Sequence, residues 1–347
     1  MMSCVASMVQ PITTENIPAT MRAWRSSSVG LGGLEFVRCP VPQPQADEAL
    51  VRVTAAALNF SDLLMIDDRY QVRPPRPFVP GQEVAGRVVA AGAKSGLARG
   101  ETVTSKVDWG GFAEYAVLRA DMAIRVPDGM SAQAAAALPV VYTTAMVALT
   151  ESTKVAAGQV VLVLAAAGGV GLAAVEIARH LGARVIAAAG GDDKCAIARG
   201  HGADDTIDYR AADWSETAKA LTDGRGADVI VDPVGGRATA EALRALAPGG
   251  RLLIVGFSSG EIPQIPANRL LLKRASAIGV YWNHRRDAEM LARVARRLTE
   301  LAENGAIRPH IGASFALEEL PSALAALAER RTTGKVLLTT GEREPSP

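Results

Sequence analysis

Sixteen consecutive residues, Val160 to Val175, are drawn only from Val, Leu, Ala and Gly. Such a run is short for a membrane span, which needs about 20 apolar residues. Gly168, Gly169 and Gly171 cluster inside it, and Glu176 closes it. The glycines divide the run into a strand over 160–166 and a helix from Gly169 to Leu181. A strand with no polar residue on either face must be covered on both sides, as in a parallel sheet flanked by helices.

The chain downstream repeats this rhythm. Strands are predicted over Arg184–Ala189, Thr206–Asp208, Val229–Asp232, Arg251–Gly256 and Ala277–Tyr281. Helices are predicted between them at Asp192–Arg199, Trp214–Leu221 and Thr239–Leu246. Strand–helix alternation of this kind makes a parallel sheet with right-handed crossovers. The first 140 residues read differently, as short strands and turns without that alternation. Ala49–Thr54, Val84–Ala91 and Gly110–Val117 are strand-like, and Ala132–Ala137 reads as a packed helix. After Tyr281 come a long helix, Asp287–Asn304, a helix Pro321–Arg330 and a last strand from Gly334 to Leu338.

Composition narrows the function. The 37 Lys and Arg against 36 Asp and Glu leave a net charge of +1, which argues against a nucleic-acid binder. Only Cys4, Cys39 and Cys195 occur, and no CxxC. That excludes a disulfide framework or a four-cysteine zinc lobe and fits a reducing, cytoplasmic setting. No two of His180, His201, His284 and His310 are three to five residues apart, so no zinc helix is expected. The amino terminus lacks the pattern of a secretory signal. Residues 1–20 read as an irregular tail, with Met21 opening the first strand-like pattern.

The glycine cluster carries the chemistry. Ala166-x-Gly168-x-x-Gly171 follows an apolar strand and opens a helix, as a dinucleotide fingerprint does with Ala in place of its first glycine. Gly168 permits close approach of a pyrophosphate, Gly171 permits close helix–strand packing, and the helix end supplies free N–H groups. The following strand ends in Gly190-Gly191, without the acid that binds a ribose 2′-hydroxyl, and Lys194 lies just beyond. This favours NADP (NADPH) over NAD; Lys194 reads either as a 2′-phosphate ligand or as a solvated helix charge.

The chain resembles the zinc-free quinone oxidoreductases (zeta-crystallin-like) of the medium-chain dehydrogenase/reductase superfamily over residues 21–340. The resemblance rests on Ala57-Leu-Asn59-Phe-Ser-Asp62, Pro80-Gly-Gln-Glu83-Val-Ala-Gly86, Ala165–Gly171, Asp232-Pro-Val-Gly-Gly236 and Thr333-Gly-Lys-Val336. It implies an α/β protein with a GroES-like β-rich catalytic domain from both chain ends, 21–143 and 284–347. Residues 144–283 would form a Rossmann, doubly wound parallel-sheet domain. It also implies hydride transfer from NADPH to a quinone or related α,β-unsaturated carbonyl. Enoyl-CoA reduction, with Arg285 and Arg286 on the CoA phosphates, and a non-catalytic NADPH-binding role are the alternatives.

Zinc-dependent members have Cys where this chain has Asn59 and His where it has Gln82, so no metal is expected. By the same resemblance Asn59 faces the nicotinamide and could bond a substrate carbonyl, unless it is a turn cap. The resemblance also implies catalytic-site positions for Asp62, which otherwise reads as structural, and for Tyr70, which reads either as lining the pocket or as an ordinary loop aromatic. The cofactor would meet Thr144, Ala167, Gly168, Gly169, Val170, Gly171, Gly190, Lys194, Tyr209, Val234, Gly256, Phe257, Ser258, Asn268 and Lys335. The expected partners are a small electrophile and a second copy of the chain, paired through the Ala277–Tyr281 edge; no nucleic acid or membrane is expected. Gly256-Phe-Ser258-Ser-Gly260 fits a hydrolase nucleophile elbow, but Glu261-Ile-Pro263 follows it where that motif demands a helix. Cys195 reads as packed and His201 as a helix-end residue.

Overall fold

The computed structural model describes residues 17–341. They form three sheets, a two-stranded one of Thr20–Ser26 and Leu34–Pro40 and two larger ones that organise the fold. The first has six strands, Val160–Leu164, Arg184–Ala189, Asp205–Asp208, Ala227–Asp232, Leu246–Ile254 and Ser276–Gly279. Every neighbouring pair runs parallel. Numbered along the chain, the strands lie in the order 3-2-1-4-5-6. The topological switch point falls between the first strand and the fourth, where open α/β sheets bind their ligands.

The all-apolar run explains itself at residue level. Val161 and Val163 pack into one core, against Leu172, Val175 and Leu298. Val160, Leu162 and Leu164 pack into another, against Trp214, Ala242 and Leu243. Successive side chains of a strand point to opposite faces, so a strand with helices on both faces has no place for a polar residue. The helix after the turn spans Gly169–His180.

The second sheet takes strands from both chain ends. Its order is Ile311–Ala316, Lys335–Thr339, Glu48–Leu58, Glu83–Ala91, Thr102–Lys106 and Ile124–Arg125, with Tyr115–Arg119 also paired to Glu48–Leu58. Lys335–Thr339 runs antiparallel to Glu48–Leu58, with Val336 opposite Leu58. That register sets Lys335 beside Asn59.

Several expectations change. Leu291, Val294, Leu298 and Leu301 of the helix Ala288–Glu303 pack with Leu138, Tyr142, Val161 and Leu172. That helix and Val141–Met146 therefore pack into the core on one face of the parallel sheet. A helix, Phe60–Ile66, interrupts the stretch read as short strands and turns. The edge strand ends at Gly279, so Tyr281 lies beyond it. The first strand, Thr20–Ser26, starts one residue before Met21. Cys4 and the tail up to residue 16 lie outside the described residues.

Candidate active site

The phosphate loop joins Leu164 to Gly169. Gly168 caps the helix Gly169–His180 from an extended conformation (φ −85°, ψ 173°), with no side-chain cap. The first N–H groups of the helix are thereby left for an outside acceptor, and they lie at the positive end of the helix dipole. A Cβ on Gly171 would stand 2.3 Å from the carbonyl oxygen of Ala165, so the closeness of helix to strand rests on that glycine. Ala165 itself takes the left-handed region, φ 48°. Ala167 gives its carbonyl to the N–H of Gly334 at 2.7 Å, which ties the loop to the other domain.

A second group of candidate residues lies beyond the second strand. Tyr209 stacks over Gly190, whose Cβ position is 3.4 Å from the ring, and Tyr209 is 37 % exposed. Asp208 accepts the Gly191 N–H at 3.1 Å and pairs with Arg210 at 2.7 Å, and hydrogen bonds from Arg210 hold its carboxyl below the usual range. Lys194 donates to the carbonyl of Arg330 at 2.9 Å. Arg330 in turn donates to the carbonyl of Ser258 at 3.0 Å. Burial raises the Tyr209 phenol, and the Arg330 charge opposes that shift. Lys194, Tyr209 and Arg330 thus gather at one place, fed by three separate chain segments.

The loops after the fourth and fifth strands close the wall. Buried Asp232 accepts the N–H groups of Val234 at 2.8 Å and Gly235 at 3.0 Å and the Thr239 hydroxyl at 2.5 Å. The N–H of Gly256 is directed at the Asp232 carbonyl at 3.4 Å, and the Phe257 ring lies against Gly235. Ser258 is held by its backbone, and the next helix starts only at Ala267, so no nucleophile elbow forms. Asn268 is exposed on that helix and has no hydrogen bond to any other candidate.

The cleft floor is a closed network. Lys335 Nζ donates to the Leu58 carbonyl at 2.8 Å, Asn59 Oδ1 at 2.7 Å and Glu83 Oε2 at 2.8 Å. Asn59 Nδ2 donates to Glu83 Oε2 at 3.0 Å and to the Ala57 carbonyl at 3.4 Å. Glu83 Oε1 accepts the Val140 N–H at 2.7 Å. The Asn59 amide is therefore hydrogen-bonded inside the protein at both ends. Lys335 is likewise a floor residue; only its aliphatic stem, with Cδ 3.0 Å from the Cβ position of Gly169, reaches the phosphate loop.

Asp62 accepts the Asn59 N–H at 2.7 Å. It is fully buried, and its Oδ1 has no hydrogen-bond partner among the described residues. Burial pushes its carboxyl up to about 7, with the Glu83 charge adding to the rise and the Asn59 N–H and Lys335 opposing it. Ser61 donates to Gln82 Oε1. Tyr70 is half-buried beside them; burial and the neighbouring Tyr281 and Asp62 raise its phenol, while Gln82 and Ser61 counteract this. Thr144 donates to the Val140 carbonyl at 2.7 Å and accepts from Trp282 Nε1 at 3.1 Å.

Zinc does not fit this floor. Asn59 and Gln82 are poor donors for it, and no cluster of three His, Cys, Asp or Glu suited to a metal exists among the described residues. A nicotinamide dinucleotide does fit: an uncapped helix end and a side-chain-free Gly168 form a cradle for its pyrophosphate.

Comparison with known proteins agrees with this architecture. Residues 45–128 match the alcohol dehydrogenase GroES-like domain and residues 169–299 the zinc-binding dehydrogenase family. A quinone oxidoreductase-like protein 2 homolog of Nematostella vectensis is 40 % identical over 84 % of this chain and 81 % of its own. The chain belongs to the quinone oxidoreductase-like members of the medium-chain dehydrogenase/reductase superfamily. This oxidoreductase family member also superimposes on Escherichia coli quinone oxidoreductase complexed with NADPH, with TM-score 0.85 and 27 % identity, covering 92 % of this chain and 99 % of that one. A mycobacterial protein complexed with NADPH gives TM-score 0.86 at 31 % identity, again over 92 % and 99 % of the two chains.

Sequence reasoning passed over three residues of the site. Glu83 sits inside the stretch Pro80–Gly86, but its partners come from distant segments and no local pattern marks it. Trp282 lies three residues past the edge strand Ser276–Gly279. Arg330 ends the Leu320–Ala328 helix region in the left-handed conformation, φ 56°; the pair Arg330-Arg331 shortly before Gly334-Lys335 was its one signal. The Cys195 thiol is buried against the Ile207 carbonyl, and burial raises it. His201 caps its helix and meets buried Glu176 at 2.6 Å.

Proposed function

We propose that the protein is an NADPH-dependent, zinc-independent reductase of quinones or related α,β-unsaturated carbonyls. The observation that carries this reading is the floor: where a metal would have to be held, Asn59, Glu83 and Lys335 satisfy one another. Without a Lewis acid, an alcohol gains little help in becoming an alkoxide. A quinone or enone is already electrophilic, and orientation supplies much of what it needs.

Bound NADPH supplies the hydride. The free N–H groups of Gly169, Val170 and Gly171 hold the pyrophosphate. Lys194 and Arg330 attract the 2′-phosphate, with Tyr209 packed on Gly190 beside them, and no acid at the tip of the second strand repels it. Thr144, fixed by Trp282, borders the nicotinamide half. Tyr70 and Gln82 line the acceptor side, and solvent provides the proton that completes the reduction.

The chain is further proposed to pair with a second copy. The strand Ser276–Gly279 is a sheet edge, and Leu271, Leu272 and Tyr281 beside it are 77 %, 82 % and 57 % exposed. Paired edges and covered apolar patches are favoured over bare ones. No helix among the described residues is long and apolar enough to cross a membrane.

A substrate panel tests the reading. Turnover of 9,10-phenanthrenequinone is expected to exceed that of crotonyl-CoA, with NADPH preferred to NADH, substoichiometric zinc and dimeric mass by light scattering. Stoichiometric zinc, an NADH preference or faster crotonyl-CoA reduction would each overturn the corresponding part. NADPH binding without turnover of any acceptor would mark a non-catalytic binder.

A further inference from the structure

We infer that Lys335 is a positioning residue for hydride transfer, a built-in cation that locks the catalytic floor to the phosphate loop. This rests on the reductase reading above. An ammonium has three N–H donors, and Lys335 has three oxygen acceptors within 2.8 Å, one of them a carboxylate. Its charge is met by Glu83, and the two side chains are 4 % and 0 % exposed.

The connections run in three directions. Through Asn59 the ammonium fixes the start of the helix Phe60–Ile66, whose Asp62 and Ser61 lie on the acceptor side. Through Glu83 it reaches the Val140 N–H. Val140 precedes the helix Val141–Met146, and its carbonyl accepts from Thr144. Through its own backbone it continues Gly334, which bonds Ala167 of the phosphate loop. One buried charge thus joins the acceptor side, the nicotinamide side and the phosphate side of the cleft.

Stability alone is a poor reason for such an arrangement. A buried ion pair is often no more stabilising than apolar residues of the same volume, because both charges are stripped of water. Lys335 enters from a strand flanked by apolar residues, Val336, Leu337 and Leu338, where a Met would pack. What a Met cannot do is orient an amide and a carboxylate at the same time. Hydride transfer is steep in distance and angle, and a misplacement of about 1 Å can cost on the order of 100-fold in rate.

The test uses the full-length protein with Lys335→Met, Lys335→Ala and Glu83→Gln variants. Lys335→Met is expected to melt cooperatively and to bind NADPH within about threefold of wild type, while kcat falls by about 100-fold. The emission of bound NADPH, which reports the nicotinamide environment without any acceptor, is expected to shift towards that of free NADPH. Added methylammonium is expected to restore kcat of Lys335→Ala at least about tenfold, whereas tetramethylammonium, a cation with no N–H donor, is not.

A kcat within about threefold of wild type in Lys335→Met overturns the inference. So does a loss of kcat that follows lost NADPH binding, with no rescue by methylammonium. Should Lys335→Met not fold, Glu83→Gln decides: reduced kcat with NADPH binding retained supports the role, and unchanged kcat removes it. If wild type itself reduces no acceptor, the reductase reading fails, and the NADPH emission of the variants still shows whether Lys335 places the nicotinamide.

Discussion

The phosphate loop and the cleft floor touch at Gly334, yet they treat their polar groups in opposite ways. The loop leaves donors open: Gly168 caps its helix without a side chain, and the first N–H groups point outward. The floor leaves almost none: Lys335 spends its donors on Asn59, Glu83 and the Leu58 carbonyl, and Asn59 spends its own on Glu83 and the Ala57 carbonyl. An exchangeable ligand needs open donors that water can occupy between turnovers. A surface that must hold geometry needs partners that stay, because a partly satisfied buried network is costly. Substitutions in the two regions are therefore expected to differ in kind, and three of them test that difference.

The largest effect is expected at the junction of loop and strand. In Gly171→Ala the new methyl group would lie 2.3 Å from the Ala165 carbonyl oxygen and 2.7 Å from the Ala166 Cα. These are backbone atoms, so the helix must move away from the strand. Overpacking of this kind costs about 3 kcal/mol, and it displaces the N–H donors with the helix. Urea unfolding is expected to show the loss of stability, and fluorescence titration a loss of NADPH affinity. Wild-type stability in this variant would mean that the loop has slack, and the contrast with the rigid floor would disappear.

A smaller effect separates the floor by pH. Asp62 has its carboxyl raised to about 7 by burial, well above the ordinary value near 4. The unfolded chain gives up this proton at lower pH than the folded one does. Between those two values the folded state binds more protons, so stability falls as pH rises. From pH 5 to pH 8 this group is expected to remove roughly 2–3 kcal/mol. Asp62→Asn keeps an oxygen for the Asn59 N–H and cannot ionise. Its stability relative to wild type is expected to increase across that interval. A constant difference between pH 5 and pH 8 would show that Asp62 is ionised throughout, which the floor as described does not accommodate.

Legibility in the sequence follows the same division. The strand Val160–Leu164 and its glycine turn could be read because their determinants are local: two-sided burial demands an unbroken apolar run, and close packing demands Gly171. The floor could not be read this way. Lys335 and Asn59 are 276 residues apart, and they meet because Lys335–Thr339 pairs antiparallel with Glu48–Leu58. No spacing rule predicts such a register. The motif containing Asn59 is local, but the direction of its amide depends on which donors and acceptors surround it. The packing of one long helix is hard to read for a related reason. The helix Ala288–Glu303 follows the last central strand and looks like a return to the catalytic domain, yet its Leu291, Val294, Leu298 and Leu301 stripe fits the core it has just left.

The smallest effect lies at the open end, where binding and fold separate most cleanly. Arg330 is exposed; its one side-chain hydrogen bond among the described residues is to the Ser258 carbonyl at 3.0 Å. Removing it leaves no buried group unsatisfied, so Arg330→Ala is expected to melt as wild type does. What it removes is positive charge beside Lys194 and Tyr209, where a 2′-phosphate would lie. A charge-assisted bond of this kind is worth about 1.4 kcal/mol at a partly exposed site, a factor of about ten in affinity. The KM for NADPH is expected to rise by that factor, while the KM for NADH, which has no 2′-phosphate, stays where it was. Because Arg330 also accepts from Lys194 through its backbone carbonyl, that lysine keeps its anchor in the variant, and the double variant with Lys194→Ala should lower the NADPH preference further. An equal rise in KM for both cofactors would instead place Arg330 in general positioning of the phosphate loop, and the open end of the cleft would then behave like its floor.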